Sequence, residues 1–160
     1  MSSVATPYHP RRAGALPAIF GGGFACGVLD ITAAFVVYGA FGAKPIPLLQ
    51  GIAAGLLGPS ARNGGLATAA LGLACHFVIA FSAAAVYYVL SRWLHFLVQQ
   101  AIIAGALYGV AVYFFMNLVV VPLSAARKFP FSFKMMVIGV AIHIVCVGLP
   151  IAISVRRFSK

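Results

Sequence analysis

The sequence predicts an all-α integral membrane protein, a bundle of four spanning helices with a short interfacial or re-entrant helix between the first two. Three observations carry that prediction. Of 160 residues, 63% are hydrophobic and only 8% charged, against about a quarter charged in soluble domains. A water-soluble domain of this size could not hide so much apolar surface. Second, the apolar residues gather into four continuous runs, each meeting the ~20 residues that a helix needs to cross a bilayer. Third, the runs show no apolar/polar alternation over ten-residue units, so they are not barrel strands, and a helix pairs every backbone N–H and C=O within its own segment.

The elements follow in order after a polar N-terminal tail, residues 1–15, and the whole chain forms one transmembrane domain. The first span covers residues 16–38. Arg11 and Arg12 precede it as in a signal peptide, but the run is too long for one and reads as a retained helix. Residues 46–58 are apolar but too short to span. Lys44-Pro45-Ile46-Pro47 introduces them and Pro59 follows them, and proline suits a first helical turn while glycine suits a helix end. Ser60 to Gly65 is a turn. The second span covers residues 66–90 and ends in a belt of Tyr87, Tyr88, Arg92 and Trp93. The third covers residues 98–121. A connection of alternating basic and aromatic residues, from Arg127 to Lys134, has the composition of the headgroup boundary. The fourth span covers residues 135–155. Four spans put both termini on one side, where Arg11, Arg12, Arg92, Arg156, Arg157 and Lys160 narrowly outnumber Lys44, Arg62, Arg127, Lys128 and Lys134. The positive-inside rule then places the termini in the cytoplasm.

Charge narrows the function classes. The formal charge is +10, and Asp30 is the single acidic residue. The basic residues lie outside the apolar runs and are scattered, which suits anionic lipid headgroups and not nucleic acid. One carboxylate rules out paired-carboxylate chemistry. There is no Gly-x-Ser-x-Gly elbow and no phosphate-binding glycine loop, so a non-enzymatic protein is expected. Cys26, Cys75 and Cys146 lie within apolar segments, without C-x-x-C spacing, and read as small buried residues. His9 and His95 fall outside or at the edge of the spans and read as solvated or interfacial.

The chain resembles itself. Leu71 to Val78 aligns without gaps to Ile138 to Val145, with Gly72, Ala74, His76 and Val78 matching Gly139, Ala141, His143 and Val145. Gly23 and Gly27 in the first span match Gly105 and Gly109 in the third, each pair followed by a valine. Two repeated helical hairpins would place His76 and His143 at one depth. Gly23, Gly27 and Asp30 share one helical face, and Ala69, Gly72, His76, Ala80 and Ala83 another. Stripes of small residues let helices approach closely, and helix packing is the plain reading of these glycines.

Asp30, His76, Asn117 and His143 form the intramembrane polar set. Counted from the span ends, Asp30, His76 and His143 lie ~12–15 Å below the surface opposite the termini. A carboxylate in hydrocarbon has to be protonated, hydrated or paired, and pairing of Asp30 with His76 or His143 is expected. Two readings are open: a proton or ion site, or hydrogen bonds that fix helix register. A sharper alternative makes His76 and His143 the ligands of one haem b, with Gly72 and Gly139 leaving room for the porphyrin and Lys44, Arg62, Arg127, Lys128 and Lys134 meeting its propionates. No attachment motif supports it, no cofactor is predicted by default, and no recognised ligand spacing points to copper or zinc.

Residues 49–58, running on to Gly64 and Gly65, and the stretch from Tyr108-Gly109 through Asn117 to Pro122-Leu123-Ser124 resemble small four-helix inner-membrane proteins of unknown function found in bacteria. The resemblance implies a bacterial cytoplasmic membrane and supplies no activity. The function expected is that of a subunit or packing partner in a membrane assembly, in the bilayer with a second membrane protein or a second copy. The alternatives are a small proton-coupled permease using Asp30 and the histidines, and the haem-binding electron carrier.

Overall fold

In hydrocarbon a backbone amide has no water to bond, so each apolar run closes its hydrogen bonds along its own axis. The computed structural model describes residues 14–127 and 130–158. Among them there is no strand. The helices are α1 (Ala15–Ala40), α2 (Pro45–Leu57), α3 (Gly65–Ser91), α4 (Phe96–Gln99), α5 (Ala101–Leu123) and α6 (Phe133–Phe158). Four of these described helices, α1, α3, α5 and α6, are long and apolar enough to cross a bilayer, and the chain is a multi-pass membrane protein. Most of the polar tail, with Arg11, Arg12 and His9, lies outside the described residues, as do Lys128 and Lys160.

Local chemistry sets the boundaries. Proline opens α2 after an extended Lys44, and Gly58, at φ +67°, ends it with its N–H on the Ala54 carbonyl. A side chain at that φ would be strained. The turn read at Ser60 to Gly65 is a 3₁₀ segment, Gly58–Asn63, followed by Gly64. The third span starts at Ala101 and not at residue 98, because the chain breaks from helical geometry at Gln100 and Val98 belongs to the separate turn α4.

Two spans contain a wide, π-type turn: Met116–Val120 in α5 and His143–Gly148 in α6. Each is followed two residues later by a proline, Pro122 and Pro150. A proline inside a helix gives no N–H to the carbonyl four residues back and crowds it. Those carbonyls belong to Leu118 and Cys146, inside the two wide turns, and the widened ladder relieves the crowding.

The packing is unequal along the bundle axis. α1 lies against α3 and the C-terminal part of α6, α5 lies against α6, and α2 lies against α3. The main core, including Ala18, Ala84, Tyr87, Ala104, Ile151 and Val155, occupies the end where α1 and α5 begin and α3 and α6 finish. Towards the other end no residue is buried in α1 beyond Ile31, in α5 beyond Gly109 or in α6 before Val147. A smaller core of Ala53, Ala54 and Ala61, with Leu71 against it, fixes α2 there.

The repeat seen in the sequence has a counterpart in the contacts. A Cβ added at Gly27 or Gly109 would strike the residue one past the matched histidine, Phe77 or Ile144. At Gly23 or Gly105 it would meet the residue five past, Phe81 or Gly148. The register is shared, but the filling is not. Gly23 and Gly27 receive phenylalanine rings, whereas Gly105 and Gly109 bring the α5 and α6 backbones together. Gly72 likewise sits under the Leu49 carbonyl of α2. The short helix is therefore docked on α3, where the buried Gln50 donates its Nε2–H to the Gly65 carbonyl at 3.0 Å. The connection after α5 clips onto it through Ala125 N–H to the Gly55 carbonyl, also 3.0 Å.

Candidate functional site

His76, on α3, directs its ring at α1 and donates Nε2–H to the Gly27 carbonyl at 2.8 Å. A carbonyl only accepts, so the proton is on Nε2 and Nδ1 is left as an acceptor. The small side chains at Gly72 and Ala80 keep this face of α3 close to its neighbours. His143 opens the wide turn of α6 and makes the opposite choice: Nδ1–H donates to the Gly139 carbonyl at 2.9 Å, which leaves Nε2 free to accept. Both imidazoles stand nearly perpendicular to a neighbouring aromatic ring, His76 to Phe77 with ring centres 5.6 Å apart and His143 to Tyr113 with ring centres 5.3 Å apart.

Asp30 is half-buried on α1, three residues past Gly27. Among the described residues no hydrogen bond or ion pair joins its carboxylate to His76 or His143, so the expected pairing is not formed. The cause is local, since each imidazole gives its proton to a main-chain carbonyl within reach. From the helix ends Asp30, His76 and His143 do lie at a similar depth, ~15 Å below the surface opposite the termini. They are one layer, then, but not one bonded cluster. Asn117 lies apart from them. It is exposed in the wide turn of α5, ~9 Å below that surface, with Nδ2–H on the Tyr113 carbonyl at 2.9 Å.

The residues do not fit a haem. His76 has its Nε2 engaged, and the two glycines meant to leave room are filled: Gly72 by the Leu49 carbonyl and Gly139 by the Tyr113 ring. Of the basic residues suggested for the propionates, Lys134 lies 5.2 Å from the Phe41 ring centre, Lys44, Arg62 and Arg127 are exposed, and Lys128 lies outside the described residues. Among the described residues no three of His, Cys, Asp and Glu gather as a metal-binding group.

The terminal end is closed by tyrosines that the sequence does not single out for that purpose. Tyr87, read above as part of an interfacial belt, is fully buried because it continues the inward stripe of Ala80 and Ala84. Its hydroxyl donates to the Leu97 carbonyl at 2.9 Å, and Tyr108 donates to the Ala83 carbonyl at 2.7 Å. The two rings meet edge to face at 4.9 Å and fill the gap between α3 and α5. Tyr88 and Trp93 do stay at the surface, Tyr88 half-buried under Arg92 at 5.9 Å and Trp93 72% exposed. Two clefts open at this end: about 220 Å³ beside Arg92 and His95, and about 300 Å³ between α1 and α6. Tyr113 is the other residue that sequence reading passes over, and its position one turn before Asn117 is the only signal that points to it. Compared with family models, with curated proteins and with solved structures, the chain matches none.

Proposed function

We propose that the chain is a non-enzymatic subunit of a membrane assembly, held in a bacterial cytoplasmic membrane with its termini inside, and that α5 presents Asn117 to a neighbouring spanning helix. The observation that carries this is the Asn117 amide. It stands exposed within a span, flanked by exposed Phe114, Phe115 and Leu118. One N–H bonds its own helix, and a second N–H and the Oδ1 lone pairs remain. A polar group facing hydrocarbon is costly, and side-chain amides bond across helices in membranes. The small-residue stripes offer that partner no face, because Gly23, Gly27, Ala69, Gly72 and Ala80 are covered within the chain. The first occupant to test is a second copy. With Leu118→Cys in native membranes, a thiol-to-thiol cross-linker gives a species of twice the mass, and Asn117→Leu reduces it. Recovery of monomer alone, with or without Asn117, overturns the proposal.

A second reading, a proton or cation site at Asp30, is supported by a different observation. The chain's one carboxylate side chain borders the loosely packed half, at the depth of His143, which opens the wide turn of α6, and such turns are frequent at functional sites. In proteoliposomes with an entrapped pH dye, proton uptake by the parent exceeds that by Asp30→Asn if this reading holds. Equal uptake removes Asp30 from any such role.

A further inference from the structure

The cleft between α1 and α6 has a shape and chemistry distinct from the Asn117 face. Its floor is Gly21, where an added Cβ would stand 2.9 Å from Ser154 Oγ and 3.5 Å from the Phe158 ring. Ala25, Pro150 and Ile153 continue it into the bilayer. The Ser154 hydroxyl donates inward, to the Ala18 carbonyl at 3.0 Å, so its proton is spent on the bundle. At the outer end stands the exposed guanidinium of Arg157. Measured along the helix, the furrow runs ~10 Å from Arg157 to the level of Pro150 and Ala25, about a third of the ~30 Å hydrocarbon thickness.

We propose that this furrow seats one anionic phospholipid, an acyl chain lying over Gly21 and Ala25 and the headgroup phosphate bonded to Arg157. Charge selects the occupant. A second copy docked by two-fold symmetry over the same furrow would bring Arg157 towards Arg157, and the chain's single carboxylate side chain, Asp30, is more than halfway down α1 and cannot neutralise the pair. A lipid phosphate supplies the opposite charge at the right level, and the apolar walls below it suit an acyl chain. Arginine matches phosphate with paired N–H donors.

The test uses the full chain purified in mild detergent, with phosphatidylglycerol or phosphatidylcholine of identical acyl chains added and the bound lipid counted by native mass spectrometry. The parent retains phosphatidylglycerol in preference to phosphatidylcholine. Arg157→Gln lowers that retention about fivefold, as expected for one cationic side chain at an anionic headgroup, while Arg156→Gln, next in sequence but outside the furrow, leaves it unchanged. Ala25→Leu fills the floor and lowers retention of both lipids, and Ile153→Ala, which removes a wall without crowding the bundle, does the same should Ala25→Leu disturb the fold. Equal retention of the two lipids by the parent overturns the proposal. So do equal losses in Arg156→Gln and Arg157→Gln, which would mark general surface charge, and a dimer cross-linked through Ala25→Cys, which would mark a second copy as the occupant.

Discussion

A methyl group at position 109 tests a close backbone contact between α5 and α6. Built on Gly109, it would stand 2.7 Å from Ile144 Cα and 2.8 Å from the His143 carbonyl carbon. Carbon atoms rest at about 3.5–4.0 Å, so α5 and α6 must part by about 1 Å, and no flexible side chain is there to yield. Overpacking of this kind costs about 1–3 kcal/mol, from which alanine's better helix propensity recovers about 0.5–1 kcal/mol. Gly109→Ala is therefore expected to lose roughly 1–2 kcal/mol. Gly51→Ala is the matched control: it lies within α2, nothing stands within 4 Å of its added methyl, and it should gain about 0.5–1 kcal/mol. The reporter is Cys26, only 3% exposed, whose thiol reacts with a fluorogenic maleimide once the bundle opens. Cys75 and Cys146 are first replaced by serine so that a single thiol reports. Thermal unmasking should come earlier than the parent in Gly109→Ala and later in Gly51→Ala. Equal midpoints for the two variants would refute the contact and, with it, the shared register of the two hairpins.

Two further outcomes follow from the same geometry. The imidazoles should be opposite tautomers, His76 protonated at Nε2 and His143 at Nδ1, which ring nitrogen-15 shifts in detergent read directly; one common tautomer would contradict the donor assignments. Tyr87→Phe and Tyr108→Phe each leave a carbonyl, of Leu97 and Ala83, without its hydroxyl donor, at about 1 kcal/mol apiece. The larger loss is expected for the fully buried Tyr87, and unmasking of Cys26 at the parent's temperature in both would show that neither bond contributes.

Helix number and most boundaries were legible because a span needs only length and apolarity, and both survive in a one-dimensional reading. The histidine match was legible for a related reason: glycine and histidine are rare enough inside apolar runs for their spacing to stand out. What those residues bond to was not. Nothing in the sequence says that His76 reaches across to Gly27 while His143 turns back to Gly139, since each choice depends on which carbonyl lies within reach of a ring. Tyr87 was misplaced because an aromatic near a span end suits an interface and a core equally, and only the inward stripe of Ala80 and Ala84 decides. Pro122 and Pro150 carry a signal of their own. Proline inside a long apolar run forces the ladder to open just before it, and both wide turns lie where that rule puts them.

The same two prolines bear on why the polar layer sits where it does. Opening free energy is lowest where buried apolar contacts are fewest, and beyond Ile31, Gly109 and ahead of Val147 no residue of α1, α5 or α6 is buried. Asp30, His143 and Asn117 all lie in or beside that loosened half, two of them within the widened turns. At the other end Tyr87, Tyr108 and the alanine core hold the helices together. In a bundle tied at one end and loosened at the other, the lowest opening free energy is expected around these polar side chains. A neighbouring helix that covered Asn117 would therefore act on the half least constrained by the chain's own packing.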